Sequence, residues 1–188
     1  MENDLTDILA SAAGDSEAYR RLVKAFEPQI ARLMWRFTRD KTECEILVQD
    51  VFVEAFFSLK NYRGQGPFLH WLNKIATRVG YRFWKQQERN KIFIDVEDFE
   101  AIDVKANTDD QIDSTEAAQA LHKLLAKLPA DDRLVLTLMY FEDCTIETIA
   151  DRMAWTKAGT KMRAMRARAK LKKIAEKENF SERFEWIK

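Results

Sequence analysis

The chain has 188 residues, 46% of them hydrophobic and 33% charged, and its 31 basic side chains balance 31 acidic ones to a formal net charge of zero. That length and balance suit one large or two small soluble domains with a substantial core. No apolar run is long enough to span a bilayer and no charged-then-apolar leader precedes a small-residue cleavage site, so no membrane insertion and a cytoplasmic location are expected.

Leu5 to Ala13 has the pattern of a short helix stopped by Gly14 and Asp15, after which Ser16 is the expected cap of a longer one. That helix carries Tyr19, Leu22, Val23, Phe26, Ile30, Leu33, Met34 and Phe37 on one stripe, and Pro28 inside it is expected to kink or split it. Thr42 and Glu45 read as the capping box of a third helix running to about Leu59. Its inward stripe is Cys44, Leu47, Val48, Val51, Phe52 and Ala55, while Ile46, Gln49, Asp50, Val53, Glu54 and Phe57 mix apolar and acidic groups on another face. Such a face suits a protein partner, because apolar burial gives affinity and the charges give register. The same pattern also fits a helix buried on both sides in a bundle.

Asn61 to Gly66 is a turn whose Gly-x-Gly lacks the preceding strand of a phosphate-binding loop. Gly66 to Arg89 then reads as one long helix, with Gly66 at the cap, Pro67 at the first helical position, and Leu69, Leu72, Ile75, Ala76, Val79 and Phe83 on the buried stripe. On its other face Trp71, Lys74, Arg78, Tyr81, Arg82 and Lys85 interleave cations with aromatic rings. Cations neutralise phosphates and flat rings stack on unpaired bases, so this stripe suits single-stranded or opening nucleic acid. The alternative is a solvated basic face whose aromatics tuck sideways into the core.

Asp95 to Glu116 holds nine acids against Lys105 alone, and residues 95–112 read as an acidic linker after a first helical domain, 1–94. A second domain follows over 113–178. Asp113 or Ser114 caps a helix with Ala117, Leu121, Leu124, Leu125 and Leu128 inward, and Pro129 closes it. Asp131 and Asp132 open the next, whose core face is Leu134, Val135, Leu138 and Met139. Thr145 then caps a short helix from Ile146 to Met153, Ala154 and Trp155 turn the chain, and Thr156 caps a basic helix through about Lys177. This is a helix-turn-helix arrangement over about 145–170, in which the second helix enters the major groove. Its inward residues are Thr160, Ala164, Ala167, Leu171 and Ile174. Ala158, Lys161, Met162, Met165 and Arg166 lie opposite, flanked by Lys157, Arg163 and Arg168, where cations bond phosphates or guanine edges and Met and Ala meet thymine methyls. A solvated charged helix is the competing reading. The tail, 179–188, carries Phe180, Phe184, Trp186 and Ile187, enough for a short packing helix or a docking patch. The fold class is thus all-α: two small helical domains joined by an acidic linker, the second a helix-turn-helix domain.

Catalytic constellations are missing, which argues against an enzyme. His70 and His122 are isolated, no zinc-type spacing occurs, and no nucleophile motif is present, so neither a metal nor a cofactor is expected. Cys44 and Cys144, far apart and without metal-type spacing, read as buried small residues rather than a disulfide or redox pair.

Three stretches together resemble the extracytoplasmic-function (ECF) group of bacterial RNA polymerase sigma factors: Cys44 to Val53, Tyr62 to Ala76, and Leu128 to Leu171. The resemblance implies that the first domain, of region 2 type, binds core RNA polymerase and the −10 promoter element, and that the second, of region 4 type, binds the −35 element. It puts Gln49, Asp50 and Val53, with Glu54 and Phe57 beside them, against the polymerase clamp, and it allows an anti-sigma factor as a further partner. Ile46 stands at a position usually acidic in the family, Arg78 where Asn is common, Arg82 where Asp is common, and Ala158-Gly159-Thr160 replaces the usual Gly-Thr-Val. A polymerase-independent helix-turn-helix regulator is the alternative function; it explains the second domain and leaves the aromatic stripe and partner face of the first without a role.

Overall fold

The computed structural model describes residues 2–94 and 116–178. The expected linker, the cap at Asp113 or Ser114 and the tail from Asn179 lie outside the described residues. Eight α-helices and one turn of 3₁₀ helix make up the regular structure among the described residues. They divide into two compact units, the first ending at Trp84 and the second starting at Lys85.

In the first unit α1 (Glu2–Ala12) packs on α2 (Ser16–Met34), α2 packs on α3 (Lys41–Ser58), and the 3₁₀ turn Leu59–Asn61 leads toward α4 (Phe68–Ile94). The cap of α2 is Asp15 rather than Ser16: its extended backbone places a carboxylate oxygen 2.9 Å from Glu17 N and 3.0 Å from Ala18 N. A carboxylate satisfies two orphan donors and also gains from the helix dipole, which a serine hydroxyl does not. Pro28 does not split α2. Pro28 and Lys24 one turn earlier are both exposed, so the carbonyl deprived of its N–H donor faces water.

The expected Thr42–Glu45 box is likewise replaced. Asp40 caps α3 by accepting from Glu43 N at 2.8 Å, and Thr38 Oγ1 donates to Glu43 Oε2 at 2.6 Å while accepting from Asp40 N at 3.1 Å. The α3 inward stripe is buried along its whole length, from Cys44 through Ala55. Helix α4 begins at Phe68, two residues after the expected cap, and runs past Arg89 to Ile94. Its core residues are Phe68, Leu72, Ile75, Ala76, Val79 and Trp84, whereas Leu69 and Phe83 are only half-buried. Trp84 reaches inward because its Nε1–H finds a buried acceptor, the carbonyl of Phe37, at 2.6 Å.

In the second unit α5 (Glu116–Leu125) stops four residues before Pro129, which sits at the start of α6 (Ala130–Phe141) instead of closing α5. Helix α6 is buried on more sides than an amphipathic reading gives: Leu136 and Thr137 are as buried as Leu134, Val135 and Leu138, while Met139 is partly exposed. It is the central element, packed on both α7 (Ile146–Met153) and α8 (Lys157–Lys177). Leu125, Leu128, Leu136 and Ala167 form one core cluster, with Leu121, Phe141, Leu171 and Ile174 against it. Each leucine of this cluster contributes about 1.5–3 kcal/mol when fully buried. The α7 and α8 limits agree with the sequence reading to the residue, because Thr145 and Thr156 accept from Thr148 N and Gly159 N, each at 3.1 Å. Ala154 ends α7 in the left-handed region, φ 54°, and so turns the chain toward α8.

Candidate nucleic-acid interface

On α3, burial of the Cys44–Ala55 stripe leaves the opposite side in solvent. Ile46 is 52%, Val53 53%, Phe56 45% and Phe57 78% exposed, with Gln49 and Asp50 exposed between them. Burial on both sides is therefore not what this helix adopts. Glu54 is half-exposed and forms an ion pair with Arg82 of α4, tying the face expected to meet polymerase to the one expected to meet DNA.

On α4 the cation–aromatic residues divide by environment. Trp71 is half-buried in an aromatic group, its ring 5.4 Å from Tyr62 and 5.3 Å from Phe68, so one of its surfaces is committed to packing. Lys74 and Tyr81 are half-buried and Arg78 and Arg82 exposed. Lys85 bonds Glu88 one turn on at 3.0 Å. Gly80, on the inner side, lets α4 pass against the Phe37 ring, which fixes the distance at which the helix lies over the core.

On α8 the exposed residues are of two kinds. Lys157 pairs with Glu147 of α7, and its ammonium hydrogen bond holds that carboxyl below the usual carboxylate range. The Arg163 guanidinium lies 4.2 Å over the Trp155 ring and 3.6 Å from Asp131, and Arg168 Nε donates to Tyr140 Oη at 2.8 Å. These three cations are anchored to the protein at the ends and sides of the helix. Ala158, Lys161, Met162, Met165 and Arg166 are exposed, with Met162 at 50% and Met165 at 56%, and Lys161 and Arg166 have no ion pair among the described residues.

Spacing alone does not single out Trp155, Tyr140 and Glu147; the one signal is a tryptophan inside a helix-turn-helix turn, where a small residue would suffice. Thr160, standing where the family has valine, is fully buried and satisfied, its Oγ1 donating to Thr156 O at 3.0 Å. Gly159 leaves room for the capping hydroxyl, since a Cβ there would lie 2.9 Å from Thr156 Oγ1. Both cysteines are buried and unpaired, and burial pushes the Cys44 thiol up to about 11 and raises that of Cys144. His122 is buried and stacked on Phe141. Among the described residues no helix is long and apolar enough to cross a membrane, and no cluster of metal-ligating groups occurs.

The exposed outer face of α3, the cation–aromatic face of α4 and the helix-turn-helix unit ending in the basic α8 belong to two helical units, the arrangement of a DNA-binding transcription protein. The sigma-70 region 2 family matches residues 22–90, and the sigma-70 region 4 family matches residues 118–171. The chain is 31% identical over 169 residues to the RNA polymerase sigma-H factor of Pseudomonas aeruginosa, covering 85% of this chain and 87% of that protein. It is 27% identical over 179 residues to the ECF RNA polymerase sigma-E factor of Haemophilus influenzae, covering 89% and 94%. Among solved structures, that of CnrH in complex with the cytosolic domain of CnrY shares the fold at a TM-score of 0.60 and 20% identity over 93% of this chain and 97% of that one. The sigma factor RpoE in complex with the anti-sigma factor NepR from Bartonella quintana shares it at 0.58 and 19%, over 84% and 96%. The chain belongs to the ECF group of RNA polymerase sigma factors. It directs promoter-specific transcription initiation with core RNA polymerase.

Proposed function

We propose the following division of labour. Gln49, Asp50, Val53, Glu54 and Phe57 of α3 engage core polymerase; Trp71, Lys74, Arg78, Tyr81, Arg82 and Lys85 of α4 meet the opened −10 element; and Lys157, Ala158, Lys161, Met162, Arg163, Met165, Arg166 and Arg168 of α8 bind the −35 duplex. The corresponding limits are 1–94 for the region 2 domain, 95–112 for the linker, 113–178 for the region 4 domain and 179–188 for the tail. The protein works in the cytoplasm as a dissociable specificity subunit without an active site of its own, and an anti-sigma factor is its regulatory partner.

The observation that carries this reading is the outer face of α3. A helix with a complete buried stripe still holds Val53 and Phe57 in water beside Asp50, which is the surface of a helix awaiting a partner. The test is run-off transcription with core polymerase on promoter DNA. Lys161→Ala and Arg166→Ala should weaken duplex binding whether or not the −10 segment is melted. Tyr81→Ala should fail on closed DNA and recover on a template with a pre-melted −10 bubble. Rescue of the α8 variants and not of the α4 variant would reverse the two assignments, and transcription indifferent to core polymerase would favour the free-standing regulator.

A further inference from the structure

The outward face of α8 is apolar along its centre line. Thr160, Ala164 and Ala167 define the buried side, and the residues most nearly opposite them recur at spacings of four, three and four: Ala158, Met162, Met165 and Ala169, all exposed. Lys161 lies on one flank of that line and Arg166 on the other. Four other cations of α8 up to Lys170, namely Lys157, Arg163, Arg168 and Lys170, are each held by a protein partner: Glu147, Trp155 with Asp131, Tyr140, and Asp132 respectively. A basic helix whose only task was phosphate contact would gain nothing from two half-exposed methionines at its middle. Their cost in water is recovered only against an apolar surface, and the major groove presents one apolar group at base edges, the C5-methyl of thymine. Methionine is suited to it, being unbranched, polarizable and adaptable in rotamer.

We propose that Met162 and Met165 are specificity residues that read thymine methyl groups in the −35 duplex, with Lys161 and Arg166 reaching the two flanking phosphate walls. This rests on the assignment of α8 to the −35 element. The methionines are three positions apart, a rise of about 4.5 Å along the helix. For a helix lying along the groove this approaches the step of about 3.4 Å between base pairs. The methyls read are therefore on neighbouring base pairs, and the preferred −35 sequence carries an A·T pair at each.

The experiment uses holoenzyme assembled from the full chain and core polymerase. The preferred −35 sequence is selected from a randomised duplex library, and each thymine in it is then replaced singly by deoxyuridine, which removes only the methyl group. Affinity should fall about fourfold, the worth of one buried methyl, at two neighbouring positions. In Met162→Ala the loss should vanish at one of them and in Met165→Ala at the other, while Met→Leu variants keep both. Affinity indifferent to every thymine-to-deoxyuridine exchange, or losses of equal size in the alanine variants, would overturn the methyl reading and point to a protein partner for the strip. A library that yields no enriched sequence would overturn the assignment of α8 itself, and the methyl reading with it.

Discussion

Gly80 sits where α4 crosses the Phe37 ring, and a Cβ there would lie 2.4 Å from two ring carbons and 2.5 Å from a third. The ring has nowhere to go: Phe37 is 1% exposed, its ring centroid is 4.5 Å from that of Trp84, and its carbonyl accepts the Trp84 indole N–H. Gly80→Ala should therefore lower stability by about 1–3 kcal/mol through overpacking, although alanine would stabilise an isolated helix by up to about 1 kcal/mol. Urea unfolding measures this, and an unchanged or raised midpoint would mean that the Phe37 contact yields. Two other residues give the first unit an alkaline limit. Burial raises the Cys44 thiol from 9.0 to about 11 and the Tyr19 phenol from 10.0 to about 12, the latter while its hydroxyl donates to the Phe52 carbonyl. A raised acid pKa means that the folded state holds a proton which the unfolded state has already released. Stability from these groups is whole below pH 9 and falls as pH rises through 11 and 12. Cys44→Ala should flatten the decline between pH 9 and 11, and Tyr19→Phe the decline between 10 and 12, in urea midpoints taken across that range.

At the scale of the helix, sequence signals were decisive where a single cap residue met a clear change of pattern and misleading where two candidates stood side by side. Thr145 and Thr156 each stand alone at the start of their helices, and both limits were legible. Where Ser16 and Thr42 are the expected caps, an aspartate one or two residues earlier, Asp15 and Asp40, holds the helix start, its carboxylate accepting from the first-turn N–H groups. Periodicity makes helix α6 amphipathic because it assumes one wet face; being packed on α7 and α8, the helix has little of one. Spacing does not mark Trp84 as a core residue, because its inward orientation depends on an acceptor at Phe37, 47 residues away in the chain. The faces proposed for function were legible as patterns on α3, α4 and α8, but which cations are anchored depends on Trp155, Tyr140 and Glu147, contacts that spacing does not encode. For α3 the expected outcome is specific. Gln49→Lys together with Asp50→Lys should weaken core-polymerase binding in a titration while leaving thermal stability within about 0.5 kcal/mol, since both residues are exposed. Unchanged affinity would remove polymerase from this face.

Over the whole molecule the zero net charge is a sum of opposed parts: nine acids with Lys105 from Asp95 to Glu116, and nine bases with Glu176 from Lys157 to Lys177. Local fields, not the total, set what each segment attracts. Within the first unit the Glu54–Arg82 pair has a consequence of another kind, because its two members belong to faces proposed for different macromolecules. Polymerase that takes Glu54 leaves Arg82 available to DNA, and DNA that takes Arg82 leaves Glu54 available to polymerase. The two ligands are then mutual effectors, and reciprocity requires each to raise the affinity of the other by the same factor, whichever arrives first. With both side chains about half in solvent, the pair is worth at most about 1 kcal/mol, which is about fivefold. A −10 single strand should tighten the complex of this protein with core polymerase by up to that factor, and Arg82→Ala should abolish the effect; a strand that leaves wild-type affinity unchanged would show that the ion pair carries no message between the two faces.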